Sequence, residues 1–406
     1  MYKSTIRACC LGSFIGALTV NLAPLLFVIF MTQFGLNFEQ VGRLVLMNFG
    51  IQIVTSLLFS SPVDRWGHKP FIVFAHMMAF VGLILLALAP VLFVSIPYIG
   101  LAFATIFYSV GAGLFELQFS AIIQSIPTGN KEGAMNMLHS FYAWGLIFVV
   151  VLTTTLLSVF GKNSWPFIVL FWSIFPLCNF FNFLHVPFPP AIQAQERMKT
   201  ARLFKSKYFL LVLAGIFFGG ATELSISQWT SAFAESSLGL RKEIGDLLGV
   251  TLFALFLGGA RSLYGAFGKK LDLLKAMTMG STLCVAMYLL AAFSPSSLIS
   301  LIACVLCGLG SALLWPGSVV NGANHFPKAG SSLFAALAAG GAAGAAFGPW
   351  LVGFIANIKP DLVKIAPWLH FLTTEEAALR SGLFIGTVFP IIMVILLALM
   401  RKENSA

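Results

Sequence analysis

Apolar residues run in blocks of about twenty or more along nearly the whole chain, and the polar breaks between blocks are short. A block of that length crosses a bilayer core of about 30 Å as a helix rising about 1.5 Å per residue. The pattern predicts twelve such helices, at about 8–33, 42–61, 71–94, 97–126, 134–160 and 165–186, then 208–236, 245–267, 276–294, 297–325, 330–357 and 381–400. Between the two sets of six, residues 187–207 lose their hydrophobicity and gain Arg197, Lys199, Arg202, Lys205 and Lys207. The expected organisation is therefore all-α: a six-helix half at 1–186, a cytoplasmic linker at 187–207 and a second half at 208–406. The apolar run from Ala8 to about Gln33 is too long for the h-region of a cleaved signal peptide. The outer stretch from Ile358 to Arg380 is the longest loop, with room for a short amphipathic helix.

Composition agrees with the pattern: 59% of the residues are hydrophobic and 9% charged, against about 25% charged in soluble domains. The net charge of +10 is explained by placement and not by a nucleic-acid partner. Sixteen of the 24 Lys and Arg fall on segments that are inner if the N-terminus is inner, seven on outer ones, and Arg261 within a span. That asymmetry puts both termini in the cytoplasm. The expected setting is the plasma (inner) membrane, with the protein a monomer and its linker near lipid headgroups. All six cysteines sit in apolar runs, so the Cys304–Cys307 spacing reads as helix packing rather than a metal site. No phosphate loop, nucleophile elbow or metal-spaced histidine set occurs, and neither an enzyme nor a cofactor is expected.

Two carboxyls interrupt this apolar background. Glu223 lies about fifteen residues in from the basic segment ending at Lys207, roughly 22 Å deep, where a charge costs about 3 kcal/mol or more. Ser227 and Thr230 follow it at i+4 and i+7, extending one polar stripe. Glu116 lies roughly 16 Å inside the inner end of the fourth span, with Ser109, Gly113 and Ser120 on its face. Such groups line solute or proton pathways, although a protonated glutamic acid bonded between helices would be stable and inert. His139, about 8 Å inside the fifth span, either joins the proton path or bonds across to a neighbouring helix. Arg261 either snorkels outward or latches onto an acid of the other half. Trp144, Trp229 and Trp315 sit deep in their spans, where rings facing a cavity stack on sugars, while Asn21, Gln118, Gln228 and Asn321 reach hydroxyls. About half of these seven are expected only to pack.

The inner turn Ser60-Ser-Pro-Val-Asp64-Arg65-Trp-Gly67-His-Lys69 resembles the G-x-x-x-D-R-x-G-x-K/R signature of the major facilitator superfamily, with Ser60 in place of the first glycine. A degenerate copy, Arg261-Ser-Leu-Tyr-Gly-Ala-Phe-Gly268-Lys269-Lys270, follows about 200 residues later. Gly111-Ala-Gly113 and Gly308-Leu-Gly310 repeat in the fourth and tenth spans. The resemblance implies two pseudo-symmetric six-helix bundles, with spans 1, 4, 7 and 10 lining a central cavity. Asn21, Glu116, Glu223 and Trp315 fall on those four spans. It also implies conformational gating by Asp64, Arg65, Gly67, Lys69, Arg261 and Lys270. The string Ala221-Thr-Glu223-Leu-Ser225-Ile-Ser-Gln-Trp229 resembles the fucose permease and related sugar:proton symporters, as does Gly113-Leu-Phe-Glu116. The chain departs from that pattern in its first span, where Asn21-Leu-Ala-Pro24 lacks the aspartate, and in lacking Asn-Pro after the fourth-span acid. The resemblance implies import of a small polar solute, a sugar, with protons. In that reading Glu116 and His139 couple the proton, and Asn21, Gln118, Trp144, Glu223, Gln228, Trp229, Trp315 and Asn321 hold the solute. The alternative is a proton-linked exporter of amphipathic compounds, although the fifth span lacks the G-x-x-x-G-P run of such antiporters. A membrane receptor or sensor that binds without transport is a third class.

Overall fold

The computed structural model describes residues 2–126, 131–188, 203–267, 272–326, 330–358, 367–370 and 373–405, with some helical side chains, those of Asp64, Arg65, Ser120 and His139 among them, outside the description. Lys270 lies outside it altogether. Among the described residues twelve helices are long and apolar enough to cross a membrane, and there is no strand. The protein is an integral membrane protein of the expected all-α class.

The spans keep their expected places and shift at their ends. Lys3–Leu25 forms the first and continues as Phe27–Phe34 to a left-handed Gly35. Phe38–Trp66, His68–Leu92, Pro97–Ser125, Lys131–Phe160 and Trp165–His185 follow, then Lys207–Ser236 as the seventh. The eighth enters through Lys242–Ile244 and a π-helical turn at Gly245–Val250 before Thr251–Phe267. Leu273–Phe293 is the ninth, and the tenth is broken into Ser297–Ser311 and Leu314–His325. Gly330–Ile358 is the eleventh.

The twelfth span corrects the sequence reading. It begins at Thr374 and not near residue 381, fixed by a capping box in which Thr373 and Glu376 bond reciprocally. Pro367–Leu369 makes one short 3₁₀ turn before it. Arg380, expected in an outer loop, is therefore inside a helix and 1% exposed. Its Nη1 donates to the carbonyls of Ala291, Ala292 and Ser294 at 3.3, 3.2 and 2.8 Å. The last carbonyls of the ninth span have no helical donors, and this guanidinium supplies them.

The chain forms two compact units, Met1–Leu36 with Met47–Gln193, and Asn37–Leu46 with Ala194–Ala406. In the first, a core of Ile72, Ala75, Phe115, Phe119, Ile122 and Phe183 joins the third, fourth and sixth spans. In the second, Phe209, Val212, Ile216, Leu314, Leu337 and Met393 join the seventh, tenth, eleventh and twelfth. The repeated glycine pairs do equivalent work in each unit. A Cβ on Gly111 would meet Ala75 O at 2.6 Å, and one on Gly113 would meet Gln52 O at 2.7 Å. Gly308 lies equally close to Phe253 and Gly310 to Gly280. Each pair thus lets one span approach the backbones of two preceding ones. Gly340, Gly344 and Gly348 likewise seat the eleventh span on Leu213, Phe217 and Ala221 of the seventh. Gly67, between the second and third spans, has φ 81° and ψ 174°, a region open essentially to glycine alone.

Candidate functional site

In the first unit Glu116 is exposed and opens into a small, half-open cleft. Its walls are Ser13, Gly16 and Val20 of the first span, Gln52 of the second, Ala112, Phe115 and Phe119 of the fourth, and Tyr142 of the fifth. Pro24 has no N–H to pair with the carbonyl of Val20, four residues back, so the first span loses a helical bond where it meets the cleft. Behind the wall runs a buried ladder of amides and hydroxyls. Gln52 Nε2 donates to Asn48 Oδ1 at 2.8 Å, Ser109 Oγ donates to the same oxygen at 2.9 Å, and Asn48 Nδ2 donates to Thr19 O at 3.2 Å. Among the described residues Glu116 has no ion-pair partner. It can exchange a proton with the cleft without first breaking a salt bridge.

In the second unit Glu223 has the opposite surroundings. It is 9% exposed, and both its oxygens accept from one nitrogen, Arg261 Nη2, at 3.1 and 2.8 Å. Arg261 Nε donates to Ala312 O at 2.9 Å. That carbonyl lies at the break in the tenth span, and the residue four positions on is Pro316, which has no N–H to offer it. Arg261 therefore caps a carbonyl that a proline has released and holds a buried acid with the same guanidinium. Two outcomes expected from the sequence, an outward snorkel or a latch to the other half, give way to a pair within its own half. The acid is in reach of Nη2, and a proline-freed acceptor takes Nε.

The other expected solute residues divide. Asn21 Nδ2 donates to Ala17 O at 2.8 Å and stands 3.5 Å from Tyr142 Oη, at the edge of the cleft. Trp315 is half-buried, its ring wedged between Gly341 and Gly220, the latter three residues before Glu223 on the seventh span. Gln118 is fully buried with neither amide atom hydrogen-bonded, two positions from Glu116 and off the cleft wall. Gln228 is buried. Trp229 is fully buried, donates from Nε1 to Pro349 O at 2.8 Å and meets Phe38 edge-on, so its ring faces protein and not a cavity. Asn321 accepts from Tyr208 Oη at 2.9 Å, tying the tenth span to the seventh. Trp144 is 64% exposed and does not line the cleft, where Tyr142 stands instead. Gly67 and the exposed Lys69 belong to the inner turn.

Three features escaped the sequence reading. Gln52 and Tyr142 line the cleft. His76, buried, lies 2.9 Å from Asn179 Nδ2, which also donates to Ala8 O, binding the third, sixth and first spans. Lys242 and Asp246 form a buried pair at 2.9 Å beside Ser231, signalled in the sequence only by their i,i+4 spacing. Among the described residues no cluster of His, Cys, Asp and Glu could hold a metal.

The comparisons with known proteins agree with this architecture. A family model described as Major Facilitator Superfamily matches residues 9–349. The multi-drug resistance efflux pump PmrA of Streptococcus pneumoniae is 23% identical over 354 residues, 82% of this chain and 84% of that protein. A bacterial homologue of the human lysosomal transporter Spinster superposes with a TM-score of 0.79 at 13% identity, covering 98% of this chain and 96% of that one. The D-xylose-proton symporter gives 0.73 at 14% identity over 95% and 96%. The E. coli fucose:proton symporter gives 0.66 at 14% over 98% and 99%.

Proposed function

This chain belongs to the Major Facilitator Superfamily, and on that premise we propose that it imports a small polar solute of sugar size together with protons, by alternating access. The observation that carries the reading is Glu116. A carboxyl on a membrane-spanning helix opens into a cleft with Ser13, Gln52 and Tyr142 on its walls, free of an ion pair among the described residues. An acid placed so can take a proton from one side and release it to the other when the cleft changes its exposure. Glu116 is the coupling group in this reading, and His139 its candidate partner. Asn21, Trp315 and the Glu223–Arg261 pair are the groups best disposed to order solute. The turn around Asp64, Arg65, Gly67 and Lys69, with Lys270 at the corresponding place in the other half, governs the conformational change. Two proteins of similar fold are named for moving xylose or fucose with protons, which supports a sugar-sized cargo.

One observation favours the alternative of an exporter of amphipathic compounds. Val20, Phe115 and Phe119 give the cleft an apolar wall, and the relative PmrA is a multidrug pump. A radiolabelled-solute panel in proteoliposomes under an imposed pH gradient separates the two. Accumulation of a sugar-sized polar solute supports import, expulsion of dyes supports export, and binding without flux of anything tested favours a sensor. The protein is further proposed to work as a monomer in the plasma (inner) membrane with both termini in the cytoplasm. Reporter fusions after Lys207 and after the C-terminus check this topology, and an outside signal at either point contradicts it.

A further inference from the structure

The Glu223–Arg261 pair is built unlike an ion pair whose task is only to hold helices. A guanidinium and a carboxylate pair most strongly as two forks, two nitrogens on two oxygens. Here a single nitrogen, Nη2, serves both oxygens of Glu223, and Nη1 has no acceptor among the described residues. Nε is fixed independently on Ala312 O, the carbonyl left over by Pro316. If Glu223 let go, the guanidinium would keep its place and present the Nη1–Nη2 edge. The Arg261 side chain is 35% exposed and that of Glu223 11%, so the cation is the reachable partner. Gly219 and Gly220 lie one turn before Glu223 on the seventh span, and against Gly220 stands the half-buried ring of Trp315, an apolar face.

We infer that Arg261 is the recognition site for a carboxylate on the transported solute, a sugar acid rather than a neutral sugar, and that Glu223 is the internal carboxylate it displaces. The inference rests on the carrier reading and names its substrate class. Charge balance sets the conditions. The solute-free pair is neutral. A solute carboxylate arriving alone would leave two anions on one cation in a poorly solvated place, which is costly. A carboxylate arriving with one proton, taken by Glu223, leaves the site neutral again. The site therefore takes anion and proton together, one of each. A phosphate, with nearly two charges, would stay uncompensated.

Among the described residues Arg261 is the charged group hydrogen-bonded to Glu223, and other charged or titratable groups are engaged elsewhere. Lys242 and Asp246 pair with each other against Ser231, two turns away, and Arg380 is bound to carbonyls at the end of the ninth span. Tyr288 donates to Thr222 O, His325 stacks on Tyr208 near the start of the span, and Glu403 pairs with Lys207. Cys284, Cys304 and Cys307 are buried thiols. The eleventh span carries no charged residue.

Equilibrium binding to the purified full chain in nanodiscs tests this, with D-gluconate as probe and D-glucose and glucose 6-phosphate beside it. Gluconate should bind in preference to both, and its affinity should rise as pH falls, by up to about tenfold per unit while Glu223 is ionised in the free protein. Glu223→Gln frees Arg261 permanently, so gluconate should bind at high pH as tightly as the parent does at low pH, with a flat pH profile. Arg261→Gln should weaken gluconate by about tenfold or more. Should that variant fail to fold, the neutral double variant Glu223→Gln/Arg261→Gln serves the same purpose. The inference is overturned if Glu223→Gln keeps the parent's pH slope, if loss of Arg261 leaves gluconate binding intact, or if glucose or glucose 6-phosphate binds in its place. Flux separates the two claims. Accumulation of glucose with no gluconate binding overturns the carboxylate site and leaves the carrier standing, whereas the predicted binding without flux of any solute overturns the carrier.

Discussion

Glu116 and Glu223 are the same residue type on membrane-spanning helices, one in each unit, and the structure treats them in opposite ways. Glu116 opens into a cleft and has no cationic partner among the described residues. Glu223 is closed in, and one guanidinium nitrogen holds both its oxygens. The difference comes from neighbouring helices. The second and fifth spans bring an amide and a phenol to the cleft that Glu116 faces, whereas the eighth brings an arginine to Glu223, steadied by the carbonyl that Pro316 leaves open. Depth in the membrane says that an acid has a purpose, and its partner says which. An unpaired acid suits proton exchange, while a paired one must trade its partner before it can take up a proton or bind differently.

Removing the partner is the strongest way to break this contrast. Arg261→Gln strands Glu223 and also orphans Ala312 O, so thermal stability should fall by about 3 kcal/mol, the low end for a broken buried pair because the guanidinium is one-third exposed. Adding Glu223→Gln should recover most of the loss, as followed by thermal denaturation of both purified variants. Full stability in the single variant would mean that the pair is not what holds Glu223.

A smaller effect sharpens the other side. A Cβ at Gly113 would sit 2.7 Å from Gln52 O and 2.8 Å from Gln52 Cα, both backbone atoms behind the cleft wall. Gly113→Ala should cost about 1–3 kcal/mol and displace the Gln52–Asn48 ladder. Gly16, in the same cleft, has nothing within 4 Å of a Cβ, so Gly16→Ala should keep stability or raise it by up to about 1 kcal/mol, the helix preference of alanine over glycine. Equal melting temperatures for the two variants would contradict the close packing claimed for the fourth span.

The spans themselves were legible because hydropathy is a local property. The ends were less so. The twelfth span starts with Thr374, Glu375 and Glu376, polar residues that read as loop until the capping box is seen. Arg380 was placed outside for the same reason, since nothing nearby in sequence announces the carbonyls of the ninth span. Both acids stood out against their apolar runs, and so did Arg261, but its pairing with Glu223 did not. Arg261 lies 38 residues from Glu223, and the proline that explains its second bond lies on a third helix. Trp229 shows the opposite failure. Its depth suggested a sugar platform, yet Pro349 O on the eleventh span takes its N–H, a pairing that no spacing in the chain reveals. Tyr142, one residue type and two positions from the Trp144 singled out in the sequence, is the aromatic group that reaches the cleft.

The contrast between the acids has a direct chemical test. Dicyclohexylcarbodiimide converts a protonated, accessible carboxyl into a stable acylurea, which peptide mass spectrometry locates. Treated at mildly acidic pH, the purified protein should carry the label on Glu116 and not on Glu223. Glu116→Gln should abolish that label and lower the solute accumulation a pH gradient sustains in proteoliposomes, while solute exchange continues. Label on Glu223 with Glu116 untouched, or full accumulation in Glu116→Gln, would contradict the account.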